Sequence, residues 1–250
     1  MPCGSPVVVF LHGIGAAAAG FAEHVSLLEQ QGVPAFAWDQ PGYGGTAAID
    51  PYTFETVAAE LLRTLDARGV RQCIPVGHSM GGMIAQELYA LAPARVAALV
   101  LAQTSPAFGS PDGEFQRRFV ADRTRALDEG AGMAEVAARL VPALVGPGAA
   151  PSVLQAAAAL MGAIPADTYR RALAALARFD RRALLPHIAV PTLCLAAEHD
   201  RTAAPEVLEK MASRIPGARY ECLAGLGHLA PLEDPARFCR AVLSFIRSLS

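Results

Sequence analysis

Val76-Gly77-His78-Ser79-Met80-Gly81-Gly82 is the stretch on which the reading of this chain turns. It contains Gly-x-Ser-x-Gly, with Gly77 and Gly81 flanking Ser79. The apolar run Cys73 to Val76 precedes it, and the helical pattern Met83-Ile84-Ala85-Gln86-Glu87-Leu88-Tyr89 follows. The motif therefore sits between a short strand and a helix, where a serine is held on a strained turn with its hydroxyl exposed. A side chain at either flanking glycine would crowd strand and helix where they approach. The Met80 N–H, at the helix start, is placed to bind developing negative charge.

Outward from this motif, strand and helix alternate. Val7-Val8-Val9-Phe10-Leu11 is a continuous apolar run, the mark of a strand buried on both faces, and it ends in His12-Gly13-Ile14-Gly15. A helix is predicted over residues 19–31, closed by Gly32, then a strand over Ala35-Phe36-Ala37-Trp38. That strand runs into the turn-forming Asp39-Gln40-Pro41-Gly42-Tyr43-Gly44-Gly45. An amphipathic helix over residues 54–68 ends at Gly69, and residues 96–102 read as the strand after the Ser79 helix. This alternation implies a parallel sheet with helices on both faces.

It stops near Ser105. From about residue 115 to 179 the patterning is helical only, in pieces 115–128, 133–144, 153–161 and 166–179 broken by Pro142, Pro147, Pro151 and Pro165. Alternation resumes with a strand at 192–196, a helix near 207–214, a strand at 219–223 and a closing helix at 235–249. The expected organisation is one α/β core, residues 1–105 and 188–250, with a helical cap inserted at 106–187.

The bulk numbers bound the function. The chain has 250 residues, 53% hydrophobic, enough for a large core. No apolar run is long enough to span a bilayer, and the first residues carry no Lys or Arg ahead of an apolar stretch, so no signal peptide is read. A net charge of −2 gives no reason to expect nucleic acid or a membrane as partner. Of five cysteines, none in a Cys-x-x-Cys pair, Cys73 and Cys194 lie in strand-like runs and read as small buried hydrophobes in a reducing, cytoplasmic compartment.

A serine nucleophile needs a base, and the base an orienting acid. His228 lies in Gly225-Leu226-Gly227-His228-Leu229, just after the last strand; Asp200 lies in Glu198-His199-Asp200, just after the strand before it. Both are expected at the carboxyl edge of the sheet, where Ser79 emerges and open parallel sheets place their sites. Asp200 could instead simply cap the turn before Thr202. Glu198 and His199 read as supports of that loop, Asp39 as a turn and cap residue, and His12 as a structural residue holding its loop. His78 is expected to face away from the pocket and pack, and His24 and His187 to be surface or satisfied residues. No ligand pair at helical spacing and no phosphate loop is present, so neither metal nor cofactor is expected.

Together, Gly-His-Ser-Met-Gly-Gly, the early His-Gly-x-Gly, the Asp-x-Pro-Gly-x-Gly turn, the late Asp and Gly-His-Leu-x-x-x-Glu-x-Pro resemble the α/β-hydrolase fold family over nearly the whole chain. Within it, lid length and closing segments are most similar to 3-oxoadipate enol-lactonase-like enzymes and small carboxylesterases. The order Ser, Asp, His is that of the family's triad. The resemblance implies Ser79, Asp200 and His228 as catalytic residues, the backbone amides of Ile14 and Met80 as oxyanion donors, and a small ester or lactone substrate. The same triad serves C–C hydrolases, lyases and acyltransferases, and fold alone does not choose between them. A dehalogenase or epoxide hydrolase would carry Asp in place of Ser79, and a non-enzymatic binding protein would be expected to lack a triad member.

The resemblance also sets expectations of form. Two antiparallel strands precede the His-Gly-x-Gly strand in the family, but only six residues precede Val7 here, so about six mainly parallel strands are expected. The strand Ala35–Trp38 would then be an open edge, which implies either a homodimer along it or a true start upstream of Met1. Pro75 falls in the strand that the family places centrally, so its missing N–H is expected to face a point where the neighbouring strand has ended or diverged. In the lid, Arg117, Arg118, Arg123 and Arg125 read as a solvated helix face, with Phe115, Phe119, Met133, Leu144, Met161 and Tyr169 as pocket walls or core.

Overall fold

The computed structural model describes residues 5–109 and 113–249. Its centre is one sheet of six parallel strands, β1 (Val7–Leu11), β2 (Ala35–Trp38), β3 (Cys73–His78), β4 (Leu99–Ala102), β5 (Thr192–Ala197) and β6 (Arg219–Leu223), in the spatial order β2-β1-β3-β4-β5-β6. Side chains of β1 alternate between two cores: Val9 and Leu11 face one, Val8 and Phe10 the other. Strands β4 and β5 alternate likewise, so their apolar residues are continuous because both faces are covered.

Helices α1 (Ala22–Gln30), α2 (Phe54–Ala67) and α3 (Met80–Leu91) fill the first crossovers. α2 starts where Thr53 and Thr56 exchange side-chain and backbone hydrogen bonds, a capping box. It buries Phe54, Val57, Ala58, Leu61 and Leu65, a 3.6-period stripe that packs beside α3. Between β4 and β5 come α4 (Glu114–Asp128), α5 (Met133–Leu140), α6 (Pro151–Gly162) and α7 (Ala166–Leu176). The return to the sheet is tied down by Arg181, which bonds Glu87 of α3 at 2.8 Å and Glu55 of α2 at 3.1 Å. α8 (Pro205–Arg214), the short α9 (Ala230–Glu233) and α10 (Pro235–Arg247) complete the chain. α10 begins on Asp234, whose carboxylate accepts the Arg237 N–H, and lays Phe238, Val242 and Phe245 onto the opposite face from α2 and α3. Each such fully buried side chain stabilises the fold by about 1.5–3 kcal/mol. Among the described residues no helix is long and apolar enough to cross a membrane.

Three sequence expectations need refinement. The ladder of β4 starts at Leu99, with Val96 only bridging Cys73. Between that bridge and the Val76–Val100 pair, β4 carries one residue more than β3. The backbones of Cys73 and Ser79 both bond towards β4, so alternation aims Pro75 there too, into the interrupted stretch. A central strand thus accommodates proline at a bulge. The lid pieces also shift: the second helix ends at Leu140 before a separate 3-10 turn, Val141–Ala143, and the last ends at Leu176.

His24 corrects a third expectation. It is buried, with neither ring nitrogen hydrogen-bonded, in a nest of Phe10, Phe21 and Phe238. His187 is exposed, as expected. Burial pushes His24 and His12 down to about 4 and His78 to about 3, from an ordinary value of 6.5. In the unfolded chain these rings bind protons as pH falls below 6.5, while the folded rings stay neutral until about 4. Stability is therefore full above that range and drops as pH falls through it. Thermal midpoints should decline between pH 6.5 and 4, and His24→Leu, which removes one buried neutral ring, should flatten the decline. An unchanged slope in His24→Leu would contradict this.

At the sheet's end β2 is an edge, its Ala35, Phe36 and Ala37 only partly buried, with the Arg68 guanidinium 4.3 Å above the Phe36 ring. Pairing of two copies along this edge would cover it and would appear as a dimer by light scattering. Light scattering that returns the 26.1 kDa monomer at all concentrations would show that the Arg68 cover suffices.

Candidate active site

The order of strands reverses direction at β1 and β3, and the side chains singled out in the sequence converge there, at the carboxyl ends of the strands. β3 meets α3 at Ser79, whose φ of 55° and ψ of −121° are a conformation L residues rarely adopt. The turn is held from three sides. The Ser79 N–H donates to the Ala102 carbonyl at 2.9 Å, and its own carbonyl accepts from the Thr104 hydroxyl at 2.7 Å and the Gly82 N–H at 2.9 Å. A Cβ on Gly77 would overlap the Gly81 carbonyl, and one on Gly81 would run into the backbone of Leu11. Both glycines are thus required by close approach.

His228 and Asp200 arrive on the loops after β6 and β5. His228 Nε2 lies 3.0 Å from Ser79 Oγ, and His228 Nδ1 lies 2.8 Å from Asp200 Oδ2. An ionised carboxylate only accepts, so Nδ1 carries the proton and Nε2 is left to accept from the serine hydroxyl. The other Asp200 oxygen accepts the N–H groups of Thr202 at 2.7 Å and Ala203 at 2.9 Å. Asp200 is therefore a turn cap as well as the partner of His228, with all its acceptors fixed from one side. Glu198 accepts the Gly225 N–H at 2.7 Å and the His199 N–H donates to Leu226 at 2.8 Å, so these two support the loops as expected.

His78 departs from expectation. It does not simply pack away: it lines the cleft, and its Nε2–H donates to the His228 carbonyl at 2.7 Å. The residue next to Ser79 thereby fixes the backbone of His228. Burial first, and the His228 ring second, depress its pKa, so it acts as a neutral donor. His12 does hold its loop: Nδ1–H donates to the Gly13 carbonyl at 2.9 Å, and Nε2 accepts from the Gln40 N–H at 3.2 Å. The Tyr43 hydroxyl donates to the Ile14 carbonyl at 3.1 Å, holding the main chain of a residue that lines the cleft. Asp39 caps a 3-10 turn over Ala18–Phe21 by accepting the Ala18 N–H at 2.7 Å.

Ser79, His228 and Ile14 border one mostly apolar cleft. Phe119, Leu144, Met161 and Tyr169 line it as expected; Met133 is buried in the core, and the Phe115 side chain lies outside the described residues. Arg117, Arg118 and Arg125 are exposed, but Arg123 faces the cleft. Two contributors escaped sequence reading. Thr104 had no signal beyond its place after a strand. Glu233 stood unread in the Glu-x-Pro ending: its carboxylate accepts the N–H of Gly227, beside His228, at 3.0 Å and that of Gly146 at 2.8 Å. No group of three or more His, Cys, Asp or Glu side chains among the described residues could hold a metal ion. Cys73, Cys194 and Cys239 are buried and free, and Cys3 lies outside the described residues.

Comparisons with known proteins agree with this architecture. The family profile described as alpha/beta hydrolase fold matches residues 6–235. The chain is 31% identical to a protein named carbamate hydrolase RutD from Variovorax paradoxus, over 100% of this chain and 94% of that one. It is 34% identical to part of the polyketide synthase ThaQ of Burkholderia thailandensis, over 96% of this chain but only 12% of that much longer protein. Among solved structures it resembles a thermophilic esterase from Thermogutta terrifontis, with a TM-score of 0.89, 27% identity and coverage of 98% and 90% of the two chains. It also resembles the enol-lactonase from Burkholderia xenovorans, with a TM-score of 0.87, 25% identity and coverage of 98% and 92%.

The glycine packing gives a direct test. Gly81→Ala must push the start of α3 off β1, moving Ser79 from His228. Overpacking of this kind costs about 1–3 kcal/mol. A lowered thermal midpoint with loss of most hydrolytic activity is expected; an unchanged midpoint with full activity would contradict the contact.

Proposed function

We propose that this chain, which belongs to the alpha/beta hydrolase fold family, is a serine hydrolase that cleaves a small carboxyl ester or lactone through an acyl-enzyme. The observation that carries the reading is the unbroken chain of hydrogen bonds from Ser79 through His228 to Asp200 at an apolar cleft. In this mechanism His228 Nε2 takes the Ser79 proton as Oγ attacks the carbonyl carbon. Asp200 holds the imidazole and offsets the charge it gains. The main-chain N–H groups of Ile14 and Met80 bind the oxyanion. Neither appears among the backbone donors of the described loops and turns. The tetrahedral adduct collapses as His228 returns the proton to the leaving oxygen. Water, activated by the same imidazole, then frees the acid.

Helices α4 to α7, within residues 106–187, act in this reading as the cap that walls the cleft and keeps water from the acyl-enzyme. The names of the relatives, esterase, enol-lactonase and carbamate hydrolase, support acyl transfer to water over the C–C and lyase alternatives.

A fluorophosphonate reagent should label Ser79, seen as a mass shift on its peptide, and Ser79→Ala should abolish both labelling and turnover across an ester and lactone panel. Asp200→Asn should lower kcat by orders of magnitude, about 10⁴ in the protease case, because the imidazole loses its acceptor. Near-wild-type turnover in Asp200→Asn, or turnover retained in pure Ser79→Ala protein, would overturn the assignment.

A further inference from the structure

The cleft holds one group that the Ser79 chemistry does not use. Among the described residues that line it, Arg123 is the one side chain with a permanent charge. It projects from α4 with its guanidinium carbon 3.4 Å above the Phe119 ring. It is half-buried, and burial lowers its pKa below the arginine range, with Tyr169 and Asp122 acting the other way. Its neighbours are paired: Arg125 with Asp122, Arg170 with Asp128. Arg123 forms no ion pair or hydrogen bond among the described residues.

The surroundings make this cation a receptor. Leu140, Val141, Leu144 and Leu176 line the same cleft, and the two imidazoles there include a neutral His78, so no other fixed charge competes. A charge partly withdrawn from water attracts an anion more strongly than an exposed one. Stacking on Phe119 holds the guanidinium plane still while leaving its edge N–H groups free to donate. That planar fork matches a carboxylate with two parallel hydrogen bonds. One unpaired positive charge calls for one negative charge.

We infer that the substrate of this site is an anionic ester or lactone whose free carboxylate is gripped by Arg123 while its scissile carbonyl lies at Ser79. The inference rests on the serine-hydrolase reading for the position of the carbonyl, but not for the binding of the anion.

The test compares p-nitrophenyl butyrate with the mono-p-nitrophenyl ester of glutaric acid, whose acyl chain ends in a carboxylate. The wild-type protein should favour the glutarate ester in kcat/KM. Arg123→Gln should lower that preference about ten- to a hundred-fold, mainly through KM, as expected for loss of a charged hydrogen-bonded pair. Arg123→Lys should keep part of it, and Arg125→Gln, on the exposed face, all of it. An equal preference in wild type and Arg123→Gln would overturn the inference. A second measurement is independent of turnover and of how Arg123→Gln folds. Calorimetry on Ser79→Ala protein should show glutarate binding more tightly than its uncharged diamide. Equal binding of the two would overturn the anion site. Preferential glutarate binding with no Ser79 labelling in the wild type would strike the hydrolase reading and leave the anion site standing.

Discussion

Everything at the site depends on how closely α3 is allowed to approach the sheet. Gly81 has no side chain because the backbone of Leu11 occupies the space where one would be, and Gly77 has none because the Gly81 carbonyl does. That contact lets a helix start within one residue of a central strand's end. The chain can do this only by passing through a left-handed conformation at Ser79. The strain is over-determined by neighbours: Ala102 and Thr104, both at the end of β4, hold the two sides of the Ser79 peptide. Serine geometry is thus a product of packing between β1, β3 and β4, and the loops inherit a fixed point to assemble around.

The second layer of organisation is electrostatic. The rings of His12, His24 and His78 are all kept neutral by burial, and they have different uses. His12 and His78 donate to carbonyls, where a single N–H suffices, and so brace the Gly13 turn and the His228 turn from within. His24 braces nothing by hydrogen bonds and serves as an aromatic surface among phenylalanines. Asp200, by contrast, accepts three donors, which keeps a buried carboxylate satisfied beside the imidazole it orients. The cleft above them is mostly apolar, so a charge placed there is screened less than one on the open surface.

Much of this was legible in the chain. Gly-x-Ser-x-Gly between an apolar run and a helical pattern located the elbow, and two loop residues after successive strands located Asp200 and His228 in the right order. Local rules sufficed because these positions are set by strand ends. What stayed illegible depended on contacts across the fold. His78 was expected to pack away, since nothing nearby in sequence announces the carbonyl of residue 228 as its partner. Arg123 was indistinguishable from Arg117, Arg118 and Arg125 until α4 had a rotation about its axis. His24 carried no sign that three phenylalanines, one of them from α10, would close over it. The last turns of two lid helices were blurred for the same reason: prolines mark breaks, but tertiary packing decides where each helix stops.

The Glu233 carboxylate joins Gly227, beside His228, to Gly146, between α5 and α6, and the Leu229 N–H adds a second stitch to the Leu144 carbonyl. The middle of the segment between β4 and β5 is therefore sewn to the loop that carries His228. A hinge that swung the whole insertion outward would tear that seam and drag His228 out of line with Ser79. α4 takes no part in the seam, yet Phe119 and Arg123 both stand on it. The molecule is in this sense divided into a stitched frame around Ser79 and His228 and a separate panel on α4. Drift in the panel can alter what the cleft admits over evolutionary time without touching the frame.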